Sequence, residues 1–289
     1  MKSCFVKKNY INLILSSLLS LILVLPAISQ NDAWHISVGK VENYTGVVSA
    51  NGRLGILSSD RPFETESIIM NNVYDFESPD GVSKILSGIN FANLDLEIDG
   101  EKITENNISN WKQTLDMRRA AFTTNFRFKN KAEISYTIYT LRQVQYTGYI
   151  DISIEPLKDI NINVTGKIIT PEDYNEVRSN FEVLKDLETT MPILQTVAKS
   201  IFGKHIVASS ATFVWHDINS TNAHERPELI HKKNTEYNNH LSFTKELKAG
   251  NTFEFAWTGA LTSTQDFEDP KTESERFVIF NLLMTYLCI

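Results

Sequence analysis

Apolar and polar residues alternate with a period of two along much of the chain. Ile150, Ile152 and Ile154, for example, alternate with Asp151 and Ser153. Successive side chains of a β-strand point to opposite faces, so this pattern predicts strands with one buried and one solvated face. Similar runs occupy residues 94–98, 122–128, 134–138, 160–164, 206–215, 241–247 and 253–257. Many short strands at this spacing predict an all-β protein built as a sandwich or a barrel.

Three segments interrupt this pattern. Residues 171–187 and 192–202 are expected to hold short helical excursions between strands. Near the end of the chain, Thr272 and Glu275 have the spacing of a capping box, which predicts a helix that starts at about Thr272. That helix is apolar on nearly every face, so it is expected either to pack fully on the sandwich or to begin a linker.

The first thirty residues predict export. Three lysines precede an apolar run at residues 11–25, and Ala27 and Ser29 supply the small residues of a cleavage site. This is typical of a secretory signal peptide, predicted at residues 1–29. The alternative is an uncleaved anchor, but the run is shorter than the roughly 20 residues that a membrane-spanning helix needs. We therefore expect a periplasmic or extracellular protein without a stable membrane span.

The charge balance changes once this segment is removed. The whole chain has 28 basic and 35 acidic side chains, and loss of the three lysines leaves 25 against 35, a formal charge of −10. Such a chain repels a polyphosphate backbone, so a nucleic-acid partner is not expected. A neutral polyhydroxy ligand suits this surface better. Only Cys288 remains after cleavage, so no internal disulfide is expected.

Three motifs carry a resemblance to a known family. They are Asn51-Gly52-Arg53-Leu54-Gly55, the segment from Leu115 to Phe122 and Ser274-Glu275-Arg276. In this order they resemble the N-terminal domain of glycoside hydrolase family 65. The resemblance implies a large two-sheet β-supersandwich, of galactose mutarotase-like architecture, over residues 30–268. Residues 269–289 would then begin a linker helix.

The same resemblance implies a function that a later domain performs. In the family, an (α/α)6 barrel supplies a glutamate general acid for inverting hydrolysis or phosphorolysis of α-linked glucosides. None of the barrel motifs occurs here, so we expect a chain truncated before the barrel, with no catalytic residue and no activity of its own. No cofactor is expected, and inorganic phosphate would serve only full-length phosphorylase relatives. The expected partner is an α-glucoside disaccharide; the oligomeric state is not predicted.

Three residues are candidates for substrate contact. The resemblance implies that Arg53 and Glu64 lie on loops near the mouth of the barrel. For Asn51-Gly52 itself a hairpin turn is favoured over a role in facing a ligand. Trp111 follows an asparagine-rich loop and is the better candidate for stacking on a sugar, although half-buried aromatic residues are common in sandwiches. Trp257 is expected in the core.

Histidines and carboxylates offer weaker candidates. His205, His216, His224, His231 and His240 lack the spacing of a zinc site, so no metal is expected. Asp95 and Glu97 lie on the polar face of a predicted strand, where a solvated role is favoured.

Two other functions remain open. One is a stand-alone carbohydrate-binding β-sandwich, which needs an exposed aromatic platform. The other is a mutarotase-like enzyme, in which His205 or His216 would meet a carboxylate on one sheet face.

Overall fold

The computed structural model describes residues 32–39, 44–76, 78–185, 190–215, 226–235 and 238–287. The predicted signal peptide, His216, His224 and Cys288 lie outside these ranges. A short 3₁₀ turn, Asp32–Trp34, opens the described chain. The boundaries predicted at residues 29 and 268 stay a prediction.

The largest layer is a nine-stranded antiparallel sheet. In spatial order, its strands are β1 (His35–Val38), β8 (Ile108–Asp116), β9 (Ala121–Phe128), β10 (Ala132–Thr140), β11 (Thr147–Pro156), β18 (Phe253–Ser263), β15 (Ile206–Trp215), β14 (Thr190–Ser200) and β13 (Tyr174–Lys185).

Two smaller sheets form the opposite layer. A five-stranded sheet contains β6 (Asn90–Ile98), β7 (Glu101–Lys102), β12 (Ile160–Ile169), β16 (Ile230–Thr235) and β17 (Asn238–Leu247). A four-stranded sheet contains β2 (Val48–Ala50), β3 (Leu54–Ser58), β4 (Thr65–Phe76) and β5 (Ser83–Ser87). Strand β6 packs against β11, β15 and β18, and β3 packs against β10 and β11. The predicted all-β sandwich is therefore confirmed, with its second layer divided into two sheets.

Aromatic side chains fill the space between the layers. Phe213, Phe243, Phe255 and Trp257 are buried there, and Phe213 and Trp257 have ring centroids 4.7 Å apart. The Trp257 indole donates to the backbone oxygen of Phe91 across the core at 2.6 Å. Full burial with the polar edge satisfied is the arrangement that a core tryptophan requires, and the core prediction for Trp257 is confirmed.

The two predicted helical excursions are wrong. Residues 174–185 and 190–200 form strands β13 and β14, which pair with each other from Tyr174↔Ser200 to Lys185↔Thr190. Tertiary pairing outweighs the weak local helix preference here, because β14 also pairs with β15 from Leu194 onward. Pro192 precedes the start of that second ladder, where its missing N–H is not needed.

The C-terminal helix, α1 (Pro270–Leu287), is confirmed, but its predicted cap is wrong. Asp269 is the cap: its carboxylate accepts the amide of Thr272 at 3.2 Å and the hydroxyl of Thr272 at 2.6 Å. Pro270 fits the first helical position because its missing N–H has no partner there. The Asp-Pro pair therefore starts the helix before Thr272, and Glu275 is free to bond elsewhere.

Helix α1 covers half of the outer face of the nine-stranded sheet. It contacts β11, β14, β15 and β18. Ser274, Val278 and Asn281 form its buried face, whereas Phe280 is 49% exposed. The helix is therefore covered along one face only, which is less than the full packing on the sandwich that was one of its two predicted outcomes.

Candidate functional site

Arg53 lies in a hairpin turn that side-chain hydrogen bonds fix. The turn joins β2 to β3, and Gly52 has a φ of +92°. The Asn51 amide donates to the backbone oxygens of Leu141 and Gln145, each at 2.8 Å, and its oxygen accepts the amides of Arg53 and Leu54, each at 2.9 Å. The hairpin interpretation is confirmed, and Asn51 ties this turn to the neighbouring loop.

The Arg53 side chain pairs with groups at the start of α1. Its guanidinium donates to Asp266 at 3.2 Å and lies 5.8 Å from the ring centroid of Tyr146. Tyr146 contacts the rings of Phe267 and Phe277 at 4.8 and 5.2 Å. Burial, followed by the charge of Asp266, raises the pKa of Tyr146. We call Arg53, Tyr146, Asp266, Phe267 and Phe277 the Arg53 cluster.

The Arg53 cluster offers no acid–base pair. Asp266 forms an ion pair with Arg53, and burial moves the pKa of Tyr146 upward from 10.0, further from neutral pH. The Arg53 side chain is 37% exposed, so part of its donor set faces solvent. This arrangement fits contact with a neighbouring surface or ligand better than proton transfer.

Glu64 lies away from the Arg53 cluster. Leu54 pairs with Met70 at one end of the β3–β4 ladder, next to Arg53, and Ser58 pairs with Thr65 at the other, next to Glu64. Five strand residues separate the two sites by roughly 16 Å. Glu64 instead forms an exposed ion pair with Arg61 at 3.4 Å.

Trp111 is not an exposed sugar platform. It is only 9% exposed and lies on β8, facing the core, with its ring centroid 6.0 Å from that of Tyr44. A register shift between Ser109 and Lys112 places Asn110, at a φ of +56°, on the bulge before it. The bulge changes the direction in which the following side chains point, so Trp111 faces the core although the loop before it is rich in asparagine. Trp111 is therefore ruled out as an exposed stacking candidate, and the half-buried alternative is the better description.

The histidines give no support to a mutarotase-like centre. His205 is buried, and its Nε2 lies 3.1 Å from the backbone oxygen of Tyr74, while His216 lies outside the described residues. His35 contacts Asp116 at 3.6 Å on edge strand β1. Among the residues that the structure describes, no three His, Cys, Asp or Glu side chains gather into a metal site.

Asp95 has structural partners. Lys102 contacts one carboxylate oxygen at 2.8 Å and Lys167 contacts the other. Burial opposes ionisation, but the hydrogen bonds and charges of the two lysines outweigh it and lower the pKa of Asp95. Burial and the Lys167 charge lower the pKa of the nearby His240. Asp95 therefore stays ionised at neutral pH and is unsuited to act as a general acid.

Two shallow grooves lie on the outer faces of the sandwich. One, of about 270 Å³, crosses the five-stranded sheet beside Glu97, Asn163 and Thr244. The other, of about 260 Å³, lies on the nine-stranded sheet. We call it the β8–β11 groove, and its side chains are Asn110, Asn125, Glu133, Ser135, Ser153 and Glu155. The sequence places these residues on polar faces but cannot show that they share a groove.

This fold and these surfaces define a β-supersandwich whose polar outer faces flank a packed aromatic core. The chain matches the family model of the glycosyl hydrolase family 65 N-terminal domain over residues 46–280. It therefore belongs to that family, as its motifs predict.

Two curated relatives are named kojibiose hydrolase. The protein of Flavobacterium johnsoniae is 34% identical over 254 residues, which cover 87% of this chain and 37% of the relative. That of Mucilaginibacter mallensis is 32% identical over 265 residues, which cover 91% of this chain and 39% of the relative. The chain thus spans less than half the length of either relative.

A solved structure shows the same fold. It is described as a kojibiose phosphorylase from the human microbiome, and it superposes with a TM-score of 0.66 at 12% identity, over 86% of this chain and 35% of that one. No helix in the described part of this chain combines the length and apolar character needed to cross a bilayer.

Proposed function

We propose that this chain supplies the N-terminal sandwich of an exported family 65 enzyme that acts on an α-linked glucoside, with kojibiose as the first candidate substrate. The observation that carries the proposal is the family match over residues 46–280, together with two relatives named kojibiose hydrolase that extend well beyond the aligned region. Hydrolysis and phosphorolysis both remain within this proposal.

We further propose that the sandwich by itself does not turn over a glucoside. Inverting glycosidases need a protonated carboxyl on one side of the scissile bond and a second carboxylate on the other. Among the described carboxyls with a shifted pKa, Glu275 alone has a raised value. It accepts a hydrogen bond from Gln195 at 2.6 Å at the contact between α1 and the sheet. A structural hydrogen bond accounts for its placement without any role in catalysis.

The test is a turnover assay on the purified full chain. Kojibiose, trehalose and maltose are incubated with it, each with and without inorganic phosphate, and glucose and glucose 1-phosphate are measured. We expect no product above the buffer control. Release of either product at a rate proportional to protein concentration would refute the no-turnover proposal.

Export is tested separately. The proposal of export rests on the apolar run and on the small residues of the cleavage site that follows it. Residues 1–40 fused to a reporter that is active only outside the cytoplasm should give signal. Replacing Leu18 and Leu19 by Arg should abolish it, since a charged h-region is not recognised. Equal reporter activity from both fusions would contradict the proposal.

A second candidate function is a carbohydrate-binding sandwich that works without a catalytic partner. The open polar half of the nine-stranded sheet favours it, and sugar binding there is developed below.

A further inference from the structure

The outer face of the nine-stranded sheet divides into two halves. Helix α1 covers β14, β15 and β18 and reaches the near end of β11. Under it lie small and apolar side chains, including Ala256, Ala260 and Val214. In the described part of the chain no helix covers β8, β9 or β10, and α1 reaches β11 only where Tyr149 packs against the residues under it. The other outward side chains of β10 and β11 are polar. The uncovered half is therefore a polar sheet surface of the size that an extended ligand needs.

Polar side chains form consecutive rows along the β10–β11 ladder. Glu133 pairs with Glu155, Ser135 with Ser153, Thr137 with Asp151, and Tyr139 with Tyr149. Same-face rows are two residues apart, so four rows extend over about 20 Å. Glu133 and Glu155 thus lie at one end, hydroxyls and the Asp151 carboxylate in the middle, and two tyrosine rings at the other end, where Tyr149 packs against the residues under α1.

Several groove side chains have no partner among the described residues. In the part of the chain that the structure describes, the side chains of Asn125, Ser135, Ser153 and Glu155 make no hydrogen bond with another residue. Glu133 differs, because the Nε of Arg127 donates to it at 2.6 Å. Unpaired donors and acceptors that converge on one groove are available to a ligand.

The carboxylate row is electrostatically unusual. Glu133 and Glu155 lie directly opposite each other on neighbouring strands. Like charges in that position destabilise a sheet, and Arg127 compensates only the Glu133 side. A ligand with hydroxyl donors would supply the missing hydrogen bonds to Glu155 without adding charge.

The backbone conformation of Asn110 is a further feature of the groove. Asn110 is a non-glycine residue with a φ of +56°, located at the β8 bulge, and it lines the groove. Bulges re-aim side chains, and left-handed non-glycine residues recur at ligand sites. Asparagine tolerates this conformation better than most residues, so placing its side-chain amide at the groove costs little conformational free energy.

We propose that the β8–β11 groove binds a neutral oligosaccharide, with the carboxylate, amide and hydroxyl groups of Asn110, Asn125, Ser135, Ser153 and Glu155 bonded to sugar hydroxyls. Mixed carboxylate, amide and hydroxyl groups suit a ligand whose hydroxyls both donate and accept. An anionic sugar would meet Glu133 and Glu155 and is disfavoured. This inference deepens the proposed function, since it rests on the chain belonging to a protein that handles glucosides.

Calorimetric titration of the full chain tests the proposal. The probes are kojibiose, maltotriose and, as an anionic comparison, glucuronate. We expect saturable millimolar binding of a neutral sugar and none of glucuronate. The double variant Asn125→Ala/Glu155→Ala should weaken that binding at least tenfold. Both side chains are exposed, so the variant is expected to fold, and its thermal unfolding midpoint is measured alongside.

The other groove provides the matched control. Glu97→Ala/Asn163→Ala removes the same two residue types from the groove on the five-stranded sheet. We expect it to change sugar affinity less than twofold. Absence of neutral-sugar binding at millimolar concentration, or equal losses in the two double variants, would overturn the proposal. Since no turnover is measured, that result would leave the family assignment and the no-turnover proposal standing.

Discussion

Replacing Asn51 by Ala should be one of the most damaging single changes at the surface of this protein. Its side chain makes four hydrogen bonds, two as a donor to the backbone of the 141–145 loop and two as an acceptor within its own turn. The two loop acceptors are 90 and 94 residues away in sequence. Loss of Asn51 therefore releases a long-range connection as well as a local turn.

The magnitude follows from those four bonds. A typical intramolecular hydrogen bond contributes about 0.5–1.5 kcal/mol net, which gives an upper range of about 2–6 kcal/mol. Asn51 is half-buried, so water replaces part of what is lost. We expect Asn51→Ala to lower the free energy of unfolding by about 2–3 kcal/mol. The conformational preference of the turn contributes little, because glycine at the next position carries the positive φ.

Urea unfolding followed by tryptophan fluorescence measures this change, with the m-value expected to stay constant. Asn71→Ala is the matched control, since that side chain makes one exposed hydrogen bond, to the backbone oxygen of Gly52 at 2.8 Å. We expect the control to cost about 0.5 kcal/mol. A cost for Asn51→Ala no larger than that of the control would refute the reasoning.

Four further substitutions test the packing and the helix contact. Gly166→Ala should destabilise by about 1–3 kcal/mol or more in urea unfolding, since its Cβ would lie 2.5 Å from the Trp257 ring. Val278→Ala, on the buried face of α1, should cost about 2 kcal/mol, and Phe280→Ala, on the exposed face, about 0.5 kcal/mol. Burial raises the pKa of Glu275, so its contribution to stability should fall as pH rises from its unfolded value of 4.5 through its folded pKa. Glu275→Gln should flatten that part of a stability–pH curve.

Local patterns were sufficient for most of the sheet and for its turns. Alternation predicts β10, β11 and β12 because each has one face in the core and one facing outward. Asp99-Gly100 predicts a hairpin turn, and its φ values of +52° and +78° agree. These features depend on neighbours in sequence, so a single chain contains the information.

The helix cap was missed locally, since Asp269 lies three residues before Thr272, but the other failures depend on distant partners. Strands β13 and β14 were expected to be helical because the first is charged and neither shows a clear period-two signal. Their conformation comes from pairing with each other and, for β14, with β15. Trp111 was a candidate for exposure because its loop is polar, yet the bulge at Asn110 shifts the register before it. Neither the ladder nor the register shift has a local signature.

The candidate surfaces were the least predictable part. Arg53 was named from a resemblance, but its partner Asp266 lies 213 residues away. The β8–β11 groove draws on four strands, and no residue in it has a distinctive sequence context. Polar faces can be predicted one strand at a time, whereas a groove exists only once register sets which side chains are neighbours.

Strand pattern and helix placement are linked on the nine-stranded sheet. Strands β15 and β18 are buried almost throughout, whereas β10 and β11 alternate between buried and partly exposed positions. Burial on both faces requires a cover on each side, and α1 supplies the outer one. A second helix over β8–β11 would leave Glu155 and Asn125 without water or partners, at a cost in free energy. The polar residues of these strands therefore favour an outer face that stays open to solvent or to a polar ligand.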